Sequence, residues 1–220
     1  MHQAKKRFIS SFVPPSFYVI LKRLQLKRHI RQNRNGKIKI VLGAGGLYEP
    51  GWIPTSYETI NVSNEADWAR FFSPDSIDLL MAEHMWEHLA TEHSLKALRI
   101  CYKYLKHGGK IRIAVPDGFH PNPLYIKGVD VEKDAEGINH PETHKVLYNY
   151  KTLQKELQDA GFRTNLLEYF DEQHQFHRTD WDKDEGLIYR SERFKFRRSD
   201  VSILNLPDYT SLIIDGVKPL

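Results

Sequence analysis

The 220 residues hold a single cysteine, Cys101, so no disulfide can close within the chain. Cys101 sits in a helical apolar pattern with Leu95, Leu98 and Leu105 and reads as a small core residue. No apolar run approaches the roughly 20 residues that span a bilayer, and no signal-peptide core is visible. A cytoplasmic protein is the expectation. Acidic residues are missing from residues 1–40, where eleven lysines and arginines stand. Of 32 basic residues this leaves 21 against 28 acidic ones in the rest, a basic arm joined to a mildly acidic domain. Such an arm suits a polyanion: an anionic membrane met peripherally, a phosphorylated substrate or nucleic acid. With no RNA-binding module or aromatic stacking platform recognisable, nucleic acid ranks below the other two.

What is present is ordinary for a globular protein with a sizeable core: 40% hydrophobic and 27% charged residues. Pro14-Pro15 breaks the arm and offers Ser16 as a helix cap, with Phe17, Ile20, Leu21 and Leu24 at helical spacing after it. Lys27 and Arg28 then interrupt that stripe, which argues against a clean membrane helix, and Asn33 to Gly36 reads as a linker. Residues 1–36 are therefore expected as an arm and 37–220 as one domain, with 171–210 a charged insertion before the last strand. Strands are expected at 38–42, 52–55, 59–62, 77–82, 110–115, 163–170 and 211–217. One helix runs through Leu95 to Leu105 and closes at His107-Gly108-Gly109; a second carries Leu153, Leu157 and Ala160. Residues 119–146, rich in Pro, His and Asn, read as a long loop, and loops of that length tend to be functional.

Strands alternating with helices predict an α/β fold with a mostly parallel sheet, and ligands in such sheets bind beyond the carboxyl ends of the strands. That rule gathers Gly43 to Gly46, Ser56 to Glu58, Asn61, Glu83-His84 and Pro116 to His120 at one edge. Gly43-Ala44-Gly45-Gly46 has neither the Lys-Ser/Thr of a phosphate loop nor the spacing of a dinucleotide fold, which sets triphosphate and nicotinamide readings aside. His84-Met85-Trp86-Glu87-His88 spells the H-x-x-E-H pattern of inverted zinc proteases, which needs both histidines on one helix face and a downstream ligand. A strand running into Glu83 puts His84 in the turn and only His88 in a helix. His120, His140 or His144 would have to be conscripted, so no metal is expected.

Four stretches in register, KIVLGAGG, SIDLLMAEHMWEHL, CYKYLKHGGKIRIAVPDG and HKVLYNYKTLQKELQDAGF, resemble successive motifs of class I S-adenosylmethionine-dependent methyltransferases. The resemblance covers roughly residues 37–170 and the final strand. Within that superfamily it extends to compact bacterial predicted methyltransferases that share the GWI, AEH-x-WEHL and PDGFHP stretches. It implies a Rossmann-like sheet of the seven-stranded type and S-adenosyl-L-methionine as cofactor. Gly43, Ala44, Gly45 and Gly46 would cradle the cofactor's methionine and ribose, and Glu83 would approach it. Ser56 occupies the place where an acidic residue normally binds the ribose hydroxyls, with Glu58 two residues on; Asn61 would lie by the adenine. The short 47–76 stretch leaves no room for the usual first two helices, a side of the sheet that the arm could cover instead.

The turn Ala82-Glu83-His84 is not the Asn/Asp-Pro-Pro-Tyr of enzymes that methylate amide or exocyclic amino nitrogens, which favours an oxygen of a small-molecule or glycan-linked acceptor. A hydroxyl acceptor must lose its proton, and Glu83, His84, His88 and His120 are the candidate bases. Asp117, Tyr125 and His144 fall on the substrate side by position, as do His120 and His140. His174 and His177 read as surface or hydrogen-bonding residues. A non-catalytic module of the same fold, acting through its basic arm, is the alternative of a different class.

Overall fold

The computed structural model describes residues 15–33, 36–44, 48–131, 143–192 and 210–220. Its first element is helix α1 (Pro15–Gln32), followed by strands β1 (Lys39–Leu42) and β2 (Ile53–Pro54), helix α2 (Glu65–Ala69) and strand β3 (Ile77–Glu83). After a short 3-10 turn at Trp86–His88 come helix α3 (Thr91–Tyr104), strand β4 (Leu105–Pro116) and helices α4 (Pro123–Val129) and α5 (Tyr150–Asp159). Strands β5 (Arg163–Phe170), β6 (Phe176–Arg178) and β7 (Ser211–Val217) complete the order.

The seven strands form one sheet in the order β2-β1-β3-β4-β7-β5-β6. Strands β2, β1, β3 and β4 are parallel, while β7 runs antiparallel between β4 and β5. Alternation along each strand separates two faces. Ile40, Leu42, Leu80, Ala82, Ile111, Ile113, Leu212 and Ile214 turn to the face packed by α3 and α5. Val41, Leu79, Met81, Ala114 and Ile213 turn to the other.

That second face is covered by an extended strap, residues 179–192, which contributes Trp181 and Ile188 to the apolar cluster. Three buried or half-buried charges tie the strap down. The Arg112 guanidinium donates to the carbonyls of Asp182 (2.9 Å) and Gly186 (2.6 Å). Glu168, fully buried, accepts from Trp181 Nε1, the Ser191 hydroxyl and the Glu192 N–H. Glu83 accepts from the main-chain N–H groups of Tyr189 and Arg190 at 3.1 and 2.7 Å.

Several expected boundaries move. Helix α1 runs to Gln32, past Lys27 and Arg28 where its apolar stripe breaks and up to the edge of the expected linker. It packs through Leu26 and Ile30, while Phe17, Ile20, Leu21 and Leu24, the expected contact stripe, are exposed. Its contact with β2 covers the side of the sheet where the chain is short of helices. The strand expected at 59–62 is a turn, because the N–H groups of Thr59 and Ile60 both return to the Ser56 carbonyl. Helix α3 stops at Tyr104 rather than at the glycines, since Leu105 already pairs with Ile77 in the sheet. Gly109 serves the strand instead: a Cβ there would stand 3.0 Å from the Asp78 carbonyl oxygen of β3. Helix α4 forms inside the expected long loop, with Asn122 as its cap and Pro123 at its first turn. Residues 132–142, including His140, lie outside the described residues.

Candidate functional site

The carboxyl end of β1 turns at Gly43, whose φ of +62° lies in the left-handed region. A Cβ at this position would come within 2.5 Å of the Met85 side chain, so the turn after β3 packs where any other residue would place an atom. Beyond it opens a cavity of about 370 Å³ between α1 and the ends of β1 and β2. Ala44, Ser56 and Glu58 line one side, and Tyr18, Lys22 and Gln25 of α1 the other. The Ser56 hydroxyl and the Glu58 main-chain N–H hold the Glu58 carboxyl below the usual carboxylate range; Lys22 assists and partial burial opposes. Of the expected cofactor residues, the structure thus brings Gly43, Ala44, Ser56 and Glu58 together. Gly45 and Gly46 lie outside the described residues. Asn61 instead holds the next turn, its side chain accepting from Ser63 N and its own N–H donating to Asp67.

At the end of β3, Glu83 faces the strap. His84 takes a left-handed φ of +49°, unusual for a residue with a Cβ. Its N–H donates to the Ala114 carbonyl, and its Nε2 lies 2.8 Å from the Ser211 hydroxyl at the start of β7. Burial holds the His84 ring below its ordinary pKa, against the pull of Glu87. Glu87, His88 and His144 converge beside it, although His144 comes from the far end of the 119–146 stretch. His120 is buried, stacked on Tyr125 with ring centroids 3.9 Å apart, and its Nδ1 accepts from Asn122 N.

Asp117 and Tyr125 are buried as well. Asp117 accepts from the N–H groups of Phe119 and Phe170, and burial pushes its carboxyl up to about 6 against those two donors. Tyr125 accepts from Asp117 N and donates to the Thr210 carbonyl. These three side chains knit the ends of β4, β5 and β7 together; their polar groups are engaged within the protein rather than turned outward. His174 and His177 hydrogen-bond Phe119 O and Asp171.

Some site residues carried no sequence signal that pointed to them. Tyr189 donates to Glu49 (2.6 Å) while its N–H reaches Glu83, linking the strap to the stretch that follows the glycine turn. Ser211 and Met85 acquire their places only when strands separated in sequence become neighbours.

No protein-family model and no curated protein sequence matches the chain. Solved structures do resemble it. A SAM-dependent methyltransferase from Archaeoglobus fulgidus aligns over 88% of this chain and 92% of its own, with 16% identity and a TM-score of 0.46. A SAM-dependent methyltransferase from Thermotoga maritima aligns over 96% of both chains at 10% identity and a TM-score of 0.45. The S-adenosylmethionine-dependent methyltransferase SibL, in its apo form, aligns over 90% of this chain at 13% identity and a TM-score of 0.44; the chain spans about half of it, 48%. Likenesses of this order leave the functional assignment to the motifs and geometry of the chain itself.

Proposed function

We propose that the chain is a methyltransferase that takes S-adenosyl-L-methionine as methyl donor and an oxygen of a small-molecule or glycan-linked compound as acceptor. The observation that carries the reading is the Gly43 turn, closed to any Cβ by Met85, opening on a cavity that holds Glu58. Its volume falls within the range of small-ligand sites. The Glu58 carboxylate, held ionised, supplies acceptors for a vicinal diol such as that of a ribose, which meets the role left open by Ser56. Gly43 supplies the left-handed turn, packed by Met85, that carries Ala44 to the cavity wall. When bound, the cofactor would supply a methyl group on a sulfonium, already activated for in-line attack.

The residues of the chain orient and enclose. Glu83 and the strap close the sheet edge at β3, and Tyr189 joins that closure to Glu49. With Glu83 bonded to two main-chain N–H groups, His84 buried against Ser211 and His120 packed between Tyr125 and Phe170, the half-exposed His88 is the candidate base beside which an acceptor hydroxyl would be held. The experiment is a calorimetric titration of S-adenosylmethionine and S-adenosylhomocysteine into the wild-type chain and a Glu58→Gln variant. Micromolar binding, weakened about tenfold or more by the variant through loss of charged hydrogen bonds, supports the reading. No binding at millimolar cofactor would sink it and leave the non-catalytic module. Methyl transfer to sugars and lipid-linked glycans then tests the acceptor.

Peripheral membrane contact is a second reading, carried by the exposed row Phe17, Ile20, Leu21 and Leu24 beside Lys27 and Arg28 on α1. Among the described residues no helix is long and apolar enough to cross a membrane. Sedimentation with anionic but not neutral vesicles would support this contact; equal recovery in the supernatant would refute it.

A further inference from the structure

The geometry points to a binding site for one first-row divalent cation of the zinc class, formed by Glu87, His88 and His144. One ligand atom from each of the three lies within 4.8 Å of the others. Glu87 is 1% exposed, yet neither carboxylate oxygen has a hydrogen-bond partner. His84 Nδ1 stands 3.3 Å from Oε1, a poorly aligned contact that becomes an ion pair only when that ring is protonated, which its burial disfavours. A buried acceptor without a donor is costly, and a carboxylate more so, unless something positive is meant to sit against it.

The two imidazoles are set up as ligands by their other nitrogens. His88 Nδ1 lies 3.2 Å from the Thr143 carbonyl and His144 Nδ1 lies 2.6 Å from the Val129 carbonyl. A carbonyl oxygen only accepts, so each Nδ1 carries a proton, and in the neutral ring each Nε2 keeps its lone pair. A backbone carbonyl on the non-ligating nitrogen is the usual second partner of a metal-bound histidine. His144 Nε2 stands 4.0 Å from Glu87 Oε1, and the rings meet edge to face with centroids 5.1 Å apart. With both rings neutral, two imidazoles and a carboxylate therefore converge as electron-pair donors.

Two imidazoles and one carboxylate match the His₂Glu donor set, which leaves a further coordination position open. Bonds of about 2.0–2.1 Å place tetrahedral ligand atoms about 3.4 Å apart. The half-exposed rings of His88 and His144 can close the present gap by rotation, whereas Glu87 is fixed by the Lys145 and Val146 N–H groups on its carbonyl. This donor set is not the one the H-x-x-E-H spacing advertises: His84 turns to Ser211, and the second imidazole comes from His144.

The test is a titration of the chelator-stripped full chain with Co²⁺, followed by visible d–d absorption and then by displacement with Zn²⁺. One equivalent bound in a low-coordinate spectrum, displaced by Zn²⁺, is the expected result. Glu87→Gln, His88→Ala and His144→Ala should each weaken binding about tenfold or more, as loss of even outer partners does in metal sites. A His174→Ala/His177→Ala double variant should bind as the wild type does. The two ring variants remove half-exposed side chains, so they report even if Glu87→Gln fails to fold. Absence of saturable Co²⁺ and Zn²⁺ binding by the wild-type chain, or binding untouched by both His88→Ala and His144→Ala, overturns the site. Neither result depends on cofactor binding, which the calorimetric titration reads separately.

Discussion

Arg112 and Asp215 face each other across β4 and β7, joined by two buried hydrogen bonds of 2.8 and 2.9 Å. Arg112 also lies over the Trp181 ring at 4.6 Å and donates to two strap carbonyls, so one side chain links the sheet's central antiparallel pair to its covering segment. Removing Arg112 leaves the buried Asp215 carboxylate without its two hydrogen bonds and with only the more distant Lys110, at 3.7 Å, opposite its charge. Arg112→Met is expected to cost about 3–5 kcal/mol of unfolding free energy, measured by denaturant titration. A loss under about 1 kcal/mol would mean that the pair offsets little more than its own desolvation.

Glu168 holds the strap at both ends, through Trp181 and through Ser191 and Glu192. Glu168→Gln keeps the size but replaces one acceptor oxygen by a donor facing other donors. The strap should open more often, and trypsin should cut at Lys183 or Arg190 well before it attacks the sheet core. Unchanged cleavage of this segment would show that its apolar contacts hold it without the carboxylate.

Gly43→Ala should lose both stability, by about 1–3 kcal/mol for the left-handed backbone, and cofactor affinity. Because the Met85 side chain occupies the Cβ position, Gly43→Ala/Met85→Ala should recover part of the stability lost to that clash. If the double variant is no more stable than the sum of its single changes, the contact with Met85 is not what excludes a side chain there.

The buried Asp117 carboxyl is pushed from 3.8 to about 6 on folding. The folded chain therefore binds this proton more tightly than the unfolded chain. Its contribution to stability is greatest below pH 3.8 and falls as pH rises to about 6, by ~3 kcal/mol for a shift of about two units. Denaturation of Asp117→Asn should lack this component, so the difference between wild type and variant slopes across that window and is flat above it. A flat difference throughout would place the Asp117 titration elsewhere.

The elements legible in the sequence were those whose pattern is local. Strand β5 spans 163–170 and β7 spans 211–217 as their apolar runs indicate, and β3 overruns its expected end by one residue. Helix α5 follows its Leu153/Leu157 spacing and ends at Asp159, with Ala160 as its cap. The misreadings have physical causes. Residues 59–62 are β-rich in composition, but the Ser56 carbonyl captures two of their N–H groups and closes a turn. In α1 the periodic stripe at Phe17 to Leu24 was readable, but which stripe is buried depends on where the sheet stands, and Leu26 met it instead.

The residues around the cavity proposed for the cofactor stood out in the sequence because a glycine turn after a first strand is a short-range signal, and Ser56 and Glu58 lie close together after β2. The chain's own pattern thus determined an α/β sheet and directed attention to its carboxyl edge, since hydrophobic period and glycine placement need only neighbouring residues. Tertiary structure alone decided the rest. The strap at 179–192 has no periodicity of its own; its order comes from Arg112, Glu168 and Glu83, charges that lie far away in sequence and become affordable to bury only when each finds its partners. Likewise, nothing in the H-x-x-E-H spacing tells that His84 will turn to Ser211 while His88 meets the chain at Thr143, 55 residues on, and there finds His144 beside the unpartnered carboxylate of Glu87.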